Sequence, residues 1–319
     1  MDEEMISTPE ASDRSRIASV GACLLLLSLL FGCGGAVPDL PAPQTLEHAA
    51  AAGTTELLLE NARADARAQL TTLEEIGATL RPYDRIYRPR GEGPFPAVLL
   101  FHGCSGSTLS HEEDWANFYN ALGIAVFAVD SITPRGLDWQ QVCDLRILTG
   151  RERASDVLAS LEYVRELDYI DSQKLALSGF SHGAWTIWEL LGLAGREQNP
   201  LNLAEWPQRG LEGVRATFLF YGPCLENWNV PIPTIAFLAE NDRYIDEQTC
   251  IDARARNEEN SEFLSVVIFA SATHTFDHAR PNAANRAAGS VYDAEATRAA
   301  RLEIARRLGE LFAPEERAH

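Results

Sequence analysis

Positive charge is what this chain has least of: 27 Lys and Arg stand against 46 Asp and Glu, a formal net charge of −19. No basic stripe is available to neutralise phosphates, so a nucleic-acid ligand is disfavoured. Acidity on this scale reads as solubility and not as a clue to the substrate. Metal-ligand patterns are missing as well. The 6 cysteines include no Cys-x-x-Cys pair, the histidines form no cluster at ligand spacing, and no metal is expected. There is no internal repeat. No apolar run reaches the roughly 20 residues that cross a bilayer. The run over residues 17–31 has instead the length of a signal-peptide core, with Arg14 and Arg16 ahead of it and Cys33 just beyond.

That N-terminus resembles a bacterial lipoprotein signal. The resemblance implies a signal peptide over residues 1–33, acylation of Cys33, and an exported protein held in the cell envelope or periplasm by a lipid. A plain cleaved signal or an uncleaved anchor are the alternatives. Residues 34–80, with Pro38, Pro41 and Pro43 near their start, read as a tether and lead-in, and residues 81–319 as one α/β domain. Export places the remaining cysteines, Cys104, Cys143, Cys224 and Cys250, in an oxidising compartment. Three connectivities are possible. Cys104 and Cys143 follow neighbouring strands, as do Cys224 and Cys250, so the pairs Cys104–Cys143 and Cys224–Cys250 are expected.

Short apolar runs alternate with helical periodicity along the domain. Residues 97–101, 124–129, 174–178, 215–221, 233–239 and 263–269 read as strands; residues 111–122, 154–167, 184–193 and 294–311 read as helices. This alternation predicts a doubly wound, mostly parallel sheet with helices on both faces. Gly91-Glu92-Gly93-Pro94 suggests a hairpin between residues 83–88 and 97–101. Residues 195–212, rich in Asn, Gln, Pro and Gly, break the pattern and read either as an insertion or cap with Trp206 lining a substrate pocket, or as a packed surface loop anchored by Trp206.

Gly179-Phe180-Ser181-His182-Gly183 sits between an apolar strand and a helix. A serine on that sharp turn projects its hydroxyl over the sheet edge, and the glycines let strand and helix approach. Ser181 is therefore the candidate nucleophile. A serine hydroxyl needs a base, and the base needs a carboxylate. After Ser181 come His182, His274, His278 and His319. His274 opens the loop after the strand at 263–269, where open α/β sheets gather their functional groups. His278 reads as a surface histidine, and His319 is the last residue. Of the acids after the strand at 233–239, Asp242 is placed to return over the sheet edge. The backbone N–H groups of Cys104, in the loop His102-Gly103-Cys104-Ser105-Gly106, and of His182 are the expected oxyanion donors. Arg135 and Arg243 are candidates for binding a substrate carboxylate, a structural ion pair being the alternative for each.

Taken together, His102 to Gly106, Val129-Asp130-Ser131 with Pro134-Arg135-Gly136, the Ser181 turn, Tyr221-Gly222-Pro223-Cys224 and His274-Thr275-Phe276-Asp277 resemble the dienelactone hydrolase family of α/β-hydrolases. The likeness runs over roughly residues 82–311. It implies an α/β-hydrolase fold with Ser181, Asp242 and His274 as nucleophile, acid and histidine. The founding members carry a cysteine nucleophile where Ser181 stands here, which favours a general carboxylesterase that needs no cofactor and acts on a small-molecule ester. A serine peptidase of the same fold, or a non-catalytic envelope lipoprotein, are the other readings.

Overall fold

The computed structural model describes residues 70–313 apart from 226, 227, 229 and 288. The signal-like segment, Cys33, most of the tether and His319 lie outside the described residues. Seven strands form one sheet: β1 (Arg85–Tyr87), β2 (Phe95–Phe101), β3 (Ala125–Val129), β4 (Ile170–Phe180), β5 (Val214–Phe220), β6 (Thr234–Ala239) and β7 (Leu264–Phe269). Their order is β1-β3-β2-β4-β5-β6-β7, with every neighbouring pair parallel except β1 with β3. This is the doubly wound arrangement expected from the alternating pattern and the α/β-hydrolase fold that the family resemblance implies.

The hairpin expectation is wrong. β1 pairs antiparallel with β3, Ile86 opposite Phe127, and never touches β2 in the ladder. β2 is a central strand with β3 on one side and β4 on the other, so both of its edges are taken. The chain reversing at Gly91 to Pro94 must pass over to the free edge of β3.

Strand alternation sorts side chains onto two cores. Ala97, Leu99 and Phe101 face one; Val98 and Leu100 face the other. The first core is closed by α1 (Leu73–Leu80), α4 (Gly150–Arg165) and α5 (His182–Gly195), which contribute Ile76, Leu158 and Leu190 among others. The second is closed by α2 (Leu109–Ala121) and α8 (Ala294–Leu311), through Trp115, Tyr119, Ala300 and Ile304. α1, in the stretch read as lead-in, starts at a capping box between Thr72 and Glu75 and buries Ile76 and Leu80 against the same core as the strands. Three short helices, α3 (Trp139–Cys143), α6 (Gln248–Arg256) and α7 (Ala283–Ala287), sit in the connections. No helix among the described residues is long and apolar enough to cross a membrane.

Residues 195–212 are not a cap. α5 runs from the Ser181 turn back along the sheet, so the chain beyond its end emerges near the strand starts. There Leu203 is buried in the first core and bridges Thr71, while Arg165 at the end of α4 donates to the carbonyls of Gly210 and Glu212. Trp206 packs on this core and crowds Gly210. It forms no part of the cavity described below.

Candidate active site

β4 ends at Phe180 and α5 begins at His182, leaving Ser181 alone at the junction with φ 53° and ψ −113°. A non-glycine residue there is strained, and such strain persists only where the surroundings hold it. The flanking glycines make the turn possible. A Cβ on Gly179 would collide with the backbone of Gly183, and one on Gly183 with the carbonyls of Phe101 and His102. The Ser181 N–H donates to Phe220 O at 2.8 Å, which ties the turn to β5.

β7 and β6 deliver the partners. His274 Nε2 lies 3.0 Å from Ser181 Oγ, and His274 Nδ1 lies 2.7 Å from Asp242 Oδ2. With Nδ1–H donating to the carboxylate, Nε2 offers its lone pair to the serine hydroxyl. The Asp242 side chain is 1% exposed and that of His274 13%, so the carboxylate is sealed while the imidazole reaches the cavity. Asp242 Oδ1 also accepts from the N–H groups of Tyr244 and Ile245, at 2.8 and 3.1 Å. Those two bonds fix the carboxylate before it meets the histidine.

Ser181 and His274 stand on the wall of a cavity of about 510 Å³, a size suited to a small organic ligand, with Asp242 behind His274. Cys104 and His182 line it too. A Cβ on Gly103 would lie 3.5 Å from Ser181 Cβ, so the loop after β2 runs beside Ser181, and His182 opens α5, where backbone N–H groups have no helical acceptor. Both expected disulfides are present: Cys104 bonds to Cys143 and Cys224 to Cys250. Each clamps a loop that borders the cavity.

Two arginines assigned to substrate binding lie elsewhere. Arg135 spans Asp156 at 2.6 and 3.0 Å and donates to Ser131 O at 2.8 Å; a buried carboxylate that the sequence pattern could not connect to it takes its charge. Arg243 is exposed, against Gly289. Neither lines the cavity.

His278 is not a surface residue. It is buried, its ring stacks on His111 with centroids 3.7 Å apart, and it lines the cavity. Burial, followed by the charge of His111, pushes its pKa down to about 3. Beside it is a carboxylate that sequence reasoning left out. Asp277, fully buried, accepts from His111 Nε2 at 2.7 Å, Trp115 Nε1 at 2.8 Å and the Tyr221 hydroxyl at 2.7 Å. Burial alone would raise its pKa, but the charge of His111 and these hydrogen bonds hold it well below the usual carboxylate range.

His111, Asp277 and His278 thus carry three ligand-type atoms within 4.8 Å of one another, a grouping hidden by the separation of 166 positions between His111 and Asp277. The donor set suits a hydrogen-bonded network better than a metal. Both oxygens of Asp277 are already engaged, and stacked rings do not aim their nitrogens at one centre. What the network does is anchor the His274 loop, whose Thr275 is held at φ 57°. Tyr221, itself at φ 40°, lays its ring edge-on to His274 with centroids 4.8 Å apart.

Arg153 was also missed. It is wholly buried on α4, donating to Ser131 Oγ at 2.9 Å, His102 O at 2.8 Å and His182 Nδ1 at 3.2 Å. Burial lowers its pKa to about 10, which leaves it charged at neutral pH. It joins the loop after β2 to the start of α5, the two segments that carry the Cys104 and His182 amides. Its only sequence signal was a cation in an otherwise apolar helical face. His102, buried beside it, accepts from Ser131 N–H through Nε2 at 3.1 Å, as befits a structural loop histidine.

Residues 203–312 match the dienelactone hydrolase family. That segment holds Asp242 and His274, and Ser181 precedes it. The chain is 27% identical over 219 residues to a carboxymethylenebutenolidase-like protein of Aquifex aeolicus, covering 65% of this chain and 86% of that one. It is 28% identical over 101 residues to the esterase FrsA of Klebsiella pneumoniae, covering 31% and 22%. Among solved structures, a dienelactone hydrolase-like promiscuous phosphotriesterase from metagenomic libraries aligns at TM-score 0.51 and 19% identity, covering 72% of this chain and 92% of that one. Esterase 2 of Thermogutta terrifontis, phosphonylated by cyclosarin, aligns at TM-score 0.54 and 15% identity, covering 73% and 90%. These two share the fold.

Proposed function

We infer that hydrolysis in this chain, which is of the dienelactone hydrolase family and a carboxylic ester hydrolase, runs through Ser181, His274 and Asp242 by way of an acyl-enzyme. The observation that carries this reading is the unbroken hydrogen-bonded line from Ser181 Oγ through His274 to Asp242.

In the first step His274 Nε2 takes the Ser181 proton as Oγ adds to the ester carbonyl carbon. Asp242 keeps Nδ1–H in place and stabilises the imidazolium that forms. The carbonyl oxygen becomes an oxyanion facing the N–H groups of Cys104 and His182. The imidazolium then returns its proton to the departing alkoxide, the C–O bond breaks, and the acyl group remains on Oγ. Water enters, His274 takes a proton from it, hydroxide adds to the acyl carbon, and Ser181 leaves with the proton from the imidazolium. The products are the alcohol and the acid, and every proton is returned.

Changing Ser181 to Ala should lower p-nitrophenyl ester turnover by at least ~10³-fold, and a fluorophosphonate probe should add its mass to the peptide bearing Ser181. Retained turnover, or a probe adduct elsewhere, sinks the assignment. The envelope location is a companion proposal that rests on the signal-like N-terminus. Mass analysis of the protein from membranes should find a mature chain starting at an acylated Cys33; a chain starting elsewhere sinks it.

A further inference from the structure

The cavity wall is chemically lopsided in a way that bears on the substrate. Among the described residues lining it there is no Lys and no Arg. Five histidines do line it: His102, His111, His182, His274 and His278. Burial holds His102, His182 and His278 below the ordinary imidazole range, so they are neutral at neutral pH. His111 faces the Asp277 carboxylate, and His274 faces Asp242. The acidic member of the wall, Glu112, is paired with Arg85 at 2.6 Å. A substrate anion would thus leave water and meet no unpaired cation, and desolvating a charge without a partner is expensive.

The mouth offers something else. Trp139, Leu145, Leu225 and Tyr244 line the cavity and stay 40%, 54%, 56% and 61% exposed. Single exposed apolar residues are ordinary, but four gathered on the lining of one cavity are apolar surface of the kind that marks a binding site. They are also held in place. Trp139 and Leu145 flank Cys143, which is bonded to Cys104; Leu225 follows Cys224, which is bonded to Cys250; and the N–H of Tyr244 is bound by Asp242. An apolar wall fixed in advance costs little ordering when a ligand covers it.

We propose that the substrates are uncharged esters carrying at least one bulky apolar group, which packs on Trp139, Leu145, Leu225 and Tyr244, and that carboxylate-bearing esters are rejected. This rests on Ser181 being the nucleophile and adds to it the class of ester. The chain is similar to a carboxymethylenebutenolidase-like protein, a name that denotes a carboxyl-bearing lactone as that relative's substrate; the wall here lacks the cation such a group would seek.

The test is a substrate panel on the protein from Pro38 onward: p-nitrophenyl acetate and octanoate, octyl acetate against ethyl acetate, and the p-nitrophenyl monoester of glutaric acid against p-nitrophenyl hexanoate. At least one long-chain ester should exceed its short partner in kcat/KM by ~10-fold or more, as burial of several methylenes predicts. The glutaric monoester should fall at least ~10-fold below the hexanoate. The double variant Leu145→Ser with Leu225→Ser should erase most of the long-to-short ratio, while Leu201→Ser, at an exposed position outside the cavity wall, should keep it. Turnover of acetate with no gain from either long chain, a ratio unmoved by the double variant, or a glutaric monoester cleaved as fast as hexanoate overturns the inference and leaves Ser181 as nucleophile. A folded protein that cleaves none of the esters overturns both.

Discussion

The hydroxyl of Tyr221 donates to Asp277 at 2.7 Å, joining the end of β5 to the loop that carries His274. Tyr221→Phe removes one of three donors from a buried carboxylate and leaves its ring packing intact. The expected cost is about 1–3 kcal/mol, a fall in melting temperature of roughly 2–4 °C per kcal/mol for a domain this size. Differential scanning calorimetry reads it, and an unchanged melting temperature would show that Asp277 does not need the phenol.

Asp242→Asn separates catalysis from folding. The amide oxygen can still accept from Tyr244 and Ile245 N–H, so stability should change little. In the proposed mechanism the charge that stabilises the imidazolium is then gone, and the amide can present N–H₂ to His274 Nδ1, favouring the wrong tautomer. We expect kcat to fall by ~10³-fold or more. A loss under tenfold in a folded protein would remove Asp242 from the relay.

Gly183→Ala should be among the most damaging small changes. Its Cβ would enter the space of the Phe101 and His102 carbonyls, so α5 or β2 must move. Backbone atoms cannot swing aside as a flexible side chain can. Loss of well above ~3 kcal/mol and of activity together is expected; a soluble variant with normal turnover would mean the elbow is looser than described.

Acid should weaken the fold before the depressed carboxylates titrate. The unfolded chain protonates its histidines near pH ~6.5, whereas His102 and His182 are lowered by burial and His278 is pushed down to about 3. Between those limits the unfolded state binds more protons, so stability falls as pH drops. Asp84 acts in the opposite sense. Burial raises it to about 6, and the folded state gains on the unfolded as pH falls from there towards ~4. Three histidines outweigh one aspartate. Asp130 and Asp277, both depressed, add their loss only at lower pH. The urea midpoint should therefore be lower at pH 5 than at pH 7, and an equal or higher value at pH 5 contradicts the balance.

Cys224 and Cys250 are 26 residues apart and Cys104 and Cys143 are 39 apart. Loop-closure entropy predicts a stabilisation of about 3–4 kcal/mol from each. Paired Cys→Ser variants, one bridge at a time, should each lower the denaturation midpoint, and removal of either should also change KM through the loop it clamps. A bridge whose loss changes neither is dispensable.

Neighbours along the chain settle part of this protein without help from distant residues. The strand, the tight Gly179 to Gly183 turn and the helix after it are a local event, so Ser181 was legible from its context. His274 and Asp242 were legible because parallel sheets place the loop after each strand at one edge, and strand order in the chain then ranks the candidates. Packing was needed for pairings between residues with no local reason to meet. His111 and Asp277 are 166 positions apart, and no periodicity connects a helix start to a loop after β7. The same holds for Arg135 with Asp156, for Arg153 beneath the loop after β2, and for β1, whose partner was set by β2 having no free edge. Trp206 was misplaced because composition can mark an irregular segment but not the end of the sheet on which it lands. Local geometry is written in short-range sterics, whereas the burial of a charge beside its partner is settled only when the whole chain has packed.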